Sequence, residues 1–171
     1  MKIKIMEGTS LQFINEKLLD CPDIIRKKVY IDNKYEAYFI YINGLVDNDL
    51  LQRDFIKPIV SMKLEELSNS HTILNLACFE TTLIYDSMVA VESIMSGNSV
   101  FISDALNFVV SCNLSETEKR SIDEPSTEKN IRGPHIGFVE HLGTNLSILR
   151  GKIKNDRLKF KTVTLGVQTN Q

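Results

Sequence analysis

Apolar positions along this chain fall into two periods, and their order predicts strands alternating with helices. Thr9 and Gln12 form a T-x-x-Q capping pair ahead of Leu11, Ile14 and Leu18, which share one helix face. That helix is predicted to run to Asp20 and to stop before Pro22. Val29-Tyr30-Ile31 reads as a short strand, and Tyr35 to Ile42 is apolar on both parities apart from Glu36, as in a central strand covered on both faces. Asn43-Gly44 ends it. Asp47 or Asn48 caps a second helix carrying Leu50, Leu51, Phe55 and Ile56, with Pro58 interrupting it and Met62 to Leu67 adding a further turn.

From Thr72 to Tyr85 the period is ambiguous, with β composition at Thr81-Thr82-Leu83-Ile84-Tyr85. Asp86 caps a helix whose one side carries Met88, Val91, Ile94 and Met95, and Gly97 stands where a helix-terminating glycine belongs. Ser99 to Ser103 and Phe108 to Cys112 read as two strands of a hairpin joined by Asp104-Ala105-Leu106-Asn107. Later, Val139, Leu142, Leu146, Leu149 and Ile153 recur at three- and four-residue spacing. Pro134 after Gly133 suits the start of that helix, predicted from Pro134 to Lys154. Leu158, Phe160, Val163 and Leu165 make a last strand whose alternation slips near Thr162. The pattern predicts an α/β fold: a small mixed sheet flanked by helices, then a linker, a long helix and a further strand. Residues 1–114 form the first α/β subdomain, 115–133 a hinge segment, and 134–171 a helix and strand leading toward a second subdomain not fully present.

The linker is the least core-like part of the chain. RSIDEPSTEKNIRGPHIGF, from Arg120 to Phe138, sets Pro125, Pro134, Gly133 and Gly137 among charges of both signs. Prolines restrict their own φ and bias the preceding residue away from helix, so the segment fixes a backbone path and presents charge along it. Composition alone leaves an ordinary solvated connector equally open.

Specific residues distinguish the two. Glu124-Pro125, Glu128, Arg132-Gly133-Pro134, Gly137-Phe138, Glu140, Thr144-Asn145 and Arg150 resemble the signature of the A subunit of spore germination receptors, the GerA family. Its form is R-S-x-x-E-P-x-T-E-x-x-x-R-G-P-x-x-G-F-x-E-x-L-x-T-N-x-x-x-x-R. Ile42-Asn43-Gly44-Leu45-Val46-Asp47, the passage from Ile94-Met95-Ser96-Gly97 to Val100-Phe101-Ile102-Ser103-Asp104, and Leu165-Gly166 are similar to that family as well. The chain departs from the pattern at Gly143 and Gly151, where arginines are usual, and at His141, where a small polar residue is common.

The resemblance implies the N-terminal region of a longer membrane protein that senses nutrients and triggers germination with B-type (transporter-like) and C-type (lipoprotein) subunits, and with further A subunits. It implies a parent in the spore inner membrane with this region on the cytoplasmic, spore-core side. It also implies that Glu124, Pro125, Glu128, Arg132, Gly133, Pro134, Gly137, Phe138 and Glu140 form a hinge or binding element.

Composition sets the remaining bounds. The chain has 171 residues, 43% hydrophobic and 25% charged, with a formal net charge of −2, as in a soluble globular domain, and offers no general case for nucleic acid. Nothing approaches the ~20 apolar residues of a membrane span, and Glu7 interrupts the N-terminus where a signal peptide would be apolar. Arg150, Lys152, Lys154, Arg157, Lys159 and Lys161 are opposed in their interval only by Asp156. That patch is either a solvated helix end or a contact for acidic lipid headgroups or an acidic partner.

Cys21, Cys78 and Cys112 are odd in number and widely spaced, which gives no disulfide framework; reduced thiols are expected, with Cys112 a small buried residue. His71, His135 and His141 share no ligand spacing, so no metal is expected, and no cofactor. The R-G-P-H-I-G string lacks both the phosphate-loop lysine and the dinucleotide spacing. Asp123, Glu124 and Glu128 interleave with Arg120, Lys129 and Arg132, which reads as ion pairing rather than acid–base catalysis. No enzyme is predicted. The alternative to a packing and assembly role is a small-molecule or anion sensor built on Arg132 and the helix N-terminus at Pro134.

Overall fold

The computed structural model describes residues 11–75, 80–115 and 137–163. Helix α1 (Leu11–Lys17) places Ile14 inward, and strand β1 (Ile24–Ile31) follows at once. β1 extends well upstream of the short Val29–Ile31 strand that the apolar pattern predicted. Arg26 and Lys28, upstream of Val29, are exposed, as an edge strand allows, so alternation there is charged-out rather than apolar. A tight turn with positive φ at Asp32 (51°) and Asn33 (53°) leads into β2 (Tyr35–Ile42), the strand whose limits the sequence predicted.

Asp47 caps the next helix as expected, its carboxylate accepting from the amides of Asp49 and Leu50. That helix runs through α2 (Asn48–Leu50), a wider π turn (Leu51–Ile56) and α3 (Lys57–Ser61). Pro58 was expected to interrupt it. The π turn, with the Lys57 amide reaching back to the Gln52 carbonyl, shifts the bonding register beside the proline, and the backbone continues. Two short helices, α4 (Leu64–Ser68) and α5 (Ser70–Leu74), lead to β3 (Thr81–Ile84) within the stretch of β composition.

Asp86 then caps α6 (Ser87–Met95), accepting from Met88 and Val89. Gly97 (φ 96°) closes α6 with a two-bond ending: its amide bonds the Ile94 carbonyl, and the Asn98 amide bonds that of Ser93. β4 (Ser99–Ser103) and β5 (Val109–Cys112) form the predicted hairpin, pairing Ser99 with Cys112 and Phe101 with Val110.

The strand order is β1-β2-β4-β5-β3 and every pairing is antiparallel. The α/β class holds, whereas the sheet is antiparallel rather than mixed. The α6 crossover does set β3 and β4 in the same direction, but β5 lies between them, so no parallel pair forms.

Alternate residues of each inner strand serve opposite faces. Ala37, Phe39, Tyr41, Phe101 and Val110 pack with Leu51, Phe55, Ile59, Leu67 and Ile73 of the α2–α5 layer. Ile40, Ile42, Val100, Ile102 and Val109 pack with Ile14 and Leu18 at α1 and with Ala90, Val91 and Ile94 of α6. Three layers result, with β2 and β4 covered on both sides. Among the described residues, neither core includes any beyond Leu114.

The C-terminal part departs most from the predicted elements. Helix α7 spans Leu142–Lys152, and residues 137–141 before it are not helical. The expected start at Pro134 lies outside the described residues, but the helix begins well after it. Residues 153–163 carry no strand ladder, although Leu158 and Phe160 are half-buried while Arg157, Lys159 and Lys161 face out. The inward–outward alternation read there holds for Leu158 and Phe160 but not for Val163, which is 61% exposed, and Leu165 lies outside the described residues; no strand pairing forms over residues 153–163.

Candidate functional site

Glu124, Pro125, Glu128, Arg132, Gly133 and Pro134 lie outside the described residues, as does Cys78. Gly137, Phe138 and Glu140 are exposed, Phe138 at 68%. The later residues of the same signature, from Glu140 to Arg150, carry the geometry that follows.

Asn145 turns its side-chain amide onto the backbone of Val139. Its Nδ2 donates to the Val139 carbonyl (2.7 Å), and its Oδ1 accepts from the Val139 amide (2.8 Å). One side chain thus satisfies both polar groups of a residue outside the helix and ties the preceding segment to α7. His141 supplies the N-cap, its Nδ1 accepting from the Thr144 amide at 3.2 Å. The imidazole lies over position 143, where an added Cβ would stand 2.9 Å from Cε1. His141 and Gly143, two of the departures from the family pattern, thus fit one another: a side chain at 143 would make the capping imidazole shift.

The predicted stripe on α7 is not buried as such. Val139, Leu142 and Ile153 are 50%, 58% and 46% exposed, and Leu146 and Leu149 are only half-buried. The fully buried side chain of α7 is Arg150. Its guanidinium meets Asp23 in a two-point contact, Nε to Oδ2 at 2.7 Å and Nη2 to Oδ1 at 3.0 Å. Nη1 donates to the carbonyls of Asn155 and Leu158, both at 3.1 Å, and lies 3.8 Å from Met95 Sδ. The Phe160 ring stacks over the guanidinium with its centroid 4.7 Å from Cζ.

Arg150 therefore leaves the basic patch: it is enclosed, and lipid contact through it is ruled out by its burial. Lys152, Lys154, Arg157, Lys159 and Lys161 remain exposed, and Lys159 also donates to the Lys17 carbonyl at 2.8 Å.

Asp23 was not singled out from sequence. It opens β1 and is 7% exposed, and its carbonyl accepts from the Asn43 amide at 2.8 Å, at the end of β2. Close backbone approach completes the junction. Gly44 (φ 81°) sits under Ser147, where a Cβ would come within 3.0 Å of the Ser147 Cβ, and Gly151 faces Leu45. This arrangement can hold one element against another; among the described residues no group of three or more His, Cys, Asp or Glu is placed to bind a metal ion. Nor is any described helix long and apolar enough to cross a membrane.

Known proteins resemble this chain in sequence, and a solved structure resembles it in fold. The 24%-identical crystal structure of the N-terminal domain of the A subunit of the Bacillus megaterium spore germinant receptor GerK3 superposes with a TM-score of 0.61, over 93% of this chain and 59% of that one. Spore germination protein KA of Bacillus subtilis is 34% identical over 157 residues, 86% of this chain and 28% of its own length. Spore germination protein A1 of the same organism is 26% identical over 160 residues, 92% and 32% of the respective chains. The present chain thus spans about a third or less of these two relatives' lengths. The sequence model for the Bacillus/Clostridium GerA spore germination protein family matches residues 12–171, so that Thr144, Asn145 and Arg150 all lie inside it. The chain belongs to the Bacillus/Clostridium GerA spore germination protein family.

Proposed function

We propose that this chain is the N-terminal region of a germination receptor A subunit, and that it contributes to nutrient-triggered signalling by domain packing and assembly rather than by bond-making chemistry. The observation that carries this reading is the family match over residues 12–171, joined to the roles of its signature residues. Thr144, Asn145 and Arg150 are spent on fixing the position of α7. A side chain whose donors are all turned inward supports geometry; it does not recognise a ligand.

In this reading residues 1–114 form the α/β unit, 115–133 the hinge, and 134–171 the lead to a further subdomain. B-type and C-type subunits and further A subunits are the partners. Lys152, Lys154, Arg157, Lys159 and Lys161, exposed along one stretch, supply a contact for acidic lipid headgroups beside a membrane.

The test uses the full-length gene in its own spores. Asp23→Asn, placed in the parent protein, is expected to slow or abolish the loss of optical density that follows addition of amino acids or sugars. Equal germination of the variant and parent spores across that panel, with equal protein levels, overturns the receptor reading. Calorimetry of the isolated chain with the same amino acids and sugars and with inorganic anions addresses packing against sensing. Saturable heat that vanishes in Arg132→Ala replaces the packing role with the sensor.

A further inference from the structure

We infer that α7 and the segment after it, residues 142–163, form a releasable strap, held on the α/β unit by the Asp23–Arg150 pair and able to open while the three-layer core stays folded. The asymmetry of the packing points to it. α6 buries Ala90, Val91, Ile94 and Met95, and it is part of a core. α7 fully buries only Arg150: its Leu146, Ile148 and Leu149 are half-buried, Leu142 is 58% exposed, and among the described residues it contributes to neither core. Apolar burial, the main source of cohesion between elements, is therefore partial on the strap side, where no described apolar side chain is fully buried.

Arg150 takes its place, and it does two jobs with one group. The two-point contact to Asp23 fastens the strap to the start of β1. The contacts to Asn155 and Leu158 fold the chain back past the end of α7, and Phe160 covers the guanidinium. Fastening and strap shape thus depend on the same side chain, so they form and fail together.

A buried ion pair is a poor device for a permanent joint, since apolar residues of similar volume commonly hold as well or better. It is a good device for a two-state one. Partial opening admits water to neither charge fully and strands both; complete opening returns both to solvent. The fastener accordingly favours shut or open over anything between. Release is a property of this chain, whatever complex it serves.

Hydrogen exchange on the 171-residue chain, followed at increasing sub-denaturing urea, tests this. In the wild type, the amides of Asn145, Ile153 and Leu158 are expected to exchange through an opening with little urea dependence. Those of Phe39, Ile40 and Phe101 are expected to exchange only with global unfolding. In Asp23→Asn the first group should lose protection by roughly 100-fold or more, with the second retained. If wild-type strap and core amides share one urea dependence from the start, the strap is part of a single cooperative unit and the proposal is wrong. That wild-type measurement decides the matter even if the variant does not fold. Equal losses in both groups, or none in the strap, in a folded Asp23→Asn overturn it as well.

Discussion

Asp23 and Arg150 lie 127 positions apart, yet they meet in two hydrogen bonds of 2.7 and 3.0 Å with neither side chain more than 4% exposed. Removing one partner strands the other in a poorly solvated site. Arg150→Met also orphans the Asn155 and Leu158 carbonyls, whereas Asp23→Asn leaves those two bonds in place. Each substitution is expected to destabilise the docked strap by about 3–5 kcal/mol, with Arg150→Met the worse. Arg150→Lys should recover little, since a single ammonium cannot span a carboxylate and two carbonyls. Strap-specific hydrogen exchange read beside global urea unfolding measures the effect, and a Lys variant indistinguishable from wild type would show that charge alone suffices.

Asn145 offers a local counterpart. Its two bonds to Val139 are exposed to solvent, so each contributes at most about 1 kcal/mol, and alanine is the better helix former at that position. Asn145→Ala should leave thermal unfolding nearly unchanged while residues 137–141 lose amide protection and become easier to cleave by protease. A large fall in melting temperature would mean that the segment before α7 is built into the core.

These two sites mark where the sequence was legible and where it was not. β2 was read correctly because its apolar residues on both parities report two covered faces, and Asp47, Asp86 and Gly97 announced helix ends through their own local chemistry. α7 was read by periodicity as a buried Leu stripe. Leu146 is only half-buried, so Leu146→Ala is expected to cost about 1 kcal/mol rather than the ~2–5 of a core leucine. Periodicity cannot show that the enclosed residue of a helix is its arginine, because the cause is an aspartate at the far end of the chain. One signal was available: the family string ends on that arginine. The Pro58 reading failed for a different reason, as a π turn is a register shift that propensity does not encode.

Tyr41 gives the fold an alkaline sensitivity. The side chain is 7% exposed within the core on the α2–α5 side, and burial pushes its phenol above the usual range. In the unfolded chain it ionises near pH 10. Above about that pH the unfolded state has released a proton that the folded state still holds, so stability falls as pH rises through the folded value. Lys28, raised by its hydrogen bond to Glu36, acts in the same direction. Tyr41→Phe removes only the phenol's share. Urea midpoints of wild type and Tyr41→Phe should run parallel up to about pH 9 and separate above about 10, the wild type falling faster. Curves that stay parallel to about pH 11 would mean the phenol reaches solvent in the folded protein.

Two glycines at the α7 junction should respond with opposite signs to the same substitution. Gly44 has φ 81°, and an added Cβ would lie 3.0 Å from that of Ser147 and 3.3 Å from its Oγ. Left-handed backbone costs an L-residue about 1–2 kcal/mol, and the contact adds to that by pushing α7 outward. Gly151 lies inside α7, where the nearest atom to an added Cβ is Leu45 Cδ2 at 3.7 Å, an ordinary contact. Gly151→Ala should therefore stabilise, by up to about 1 kcal/mol from helix propensity. Gly97 serves as the control. It has a comparable φ of 96° but only 3.6 Å and 3.7 Å contacts to Leu45, so Gly97→Ala measures the backbone penalty without the clash. Gly44→Ala should exceed Gly97→Ala in cost, and Ser147→Gly should relieve the excess by removing the facing Cβ. An excess that survives Ser147→Gly would show that Gly44 is constrained by something other than the approach of α7.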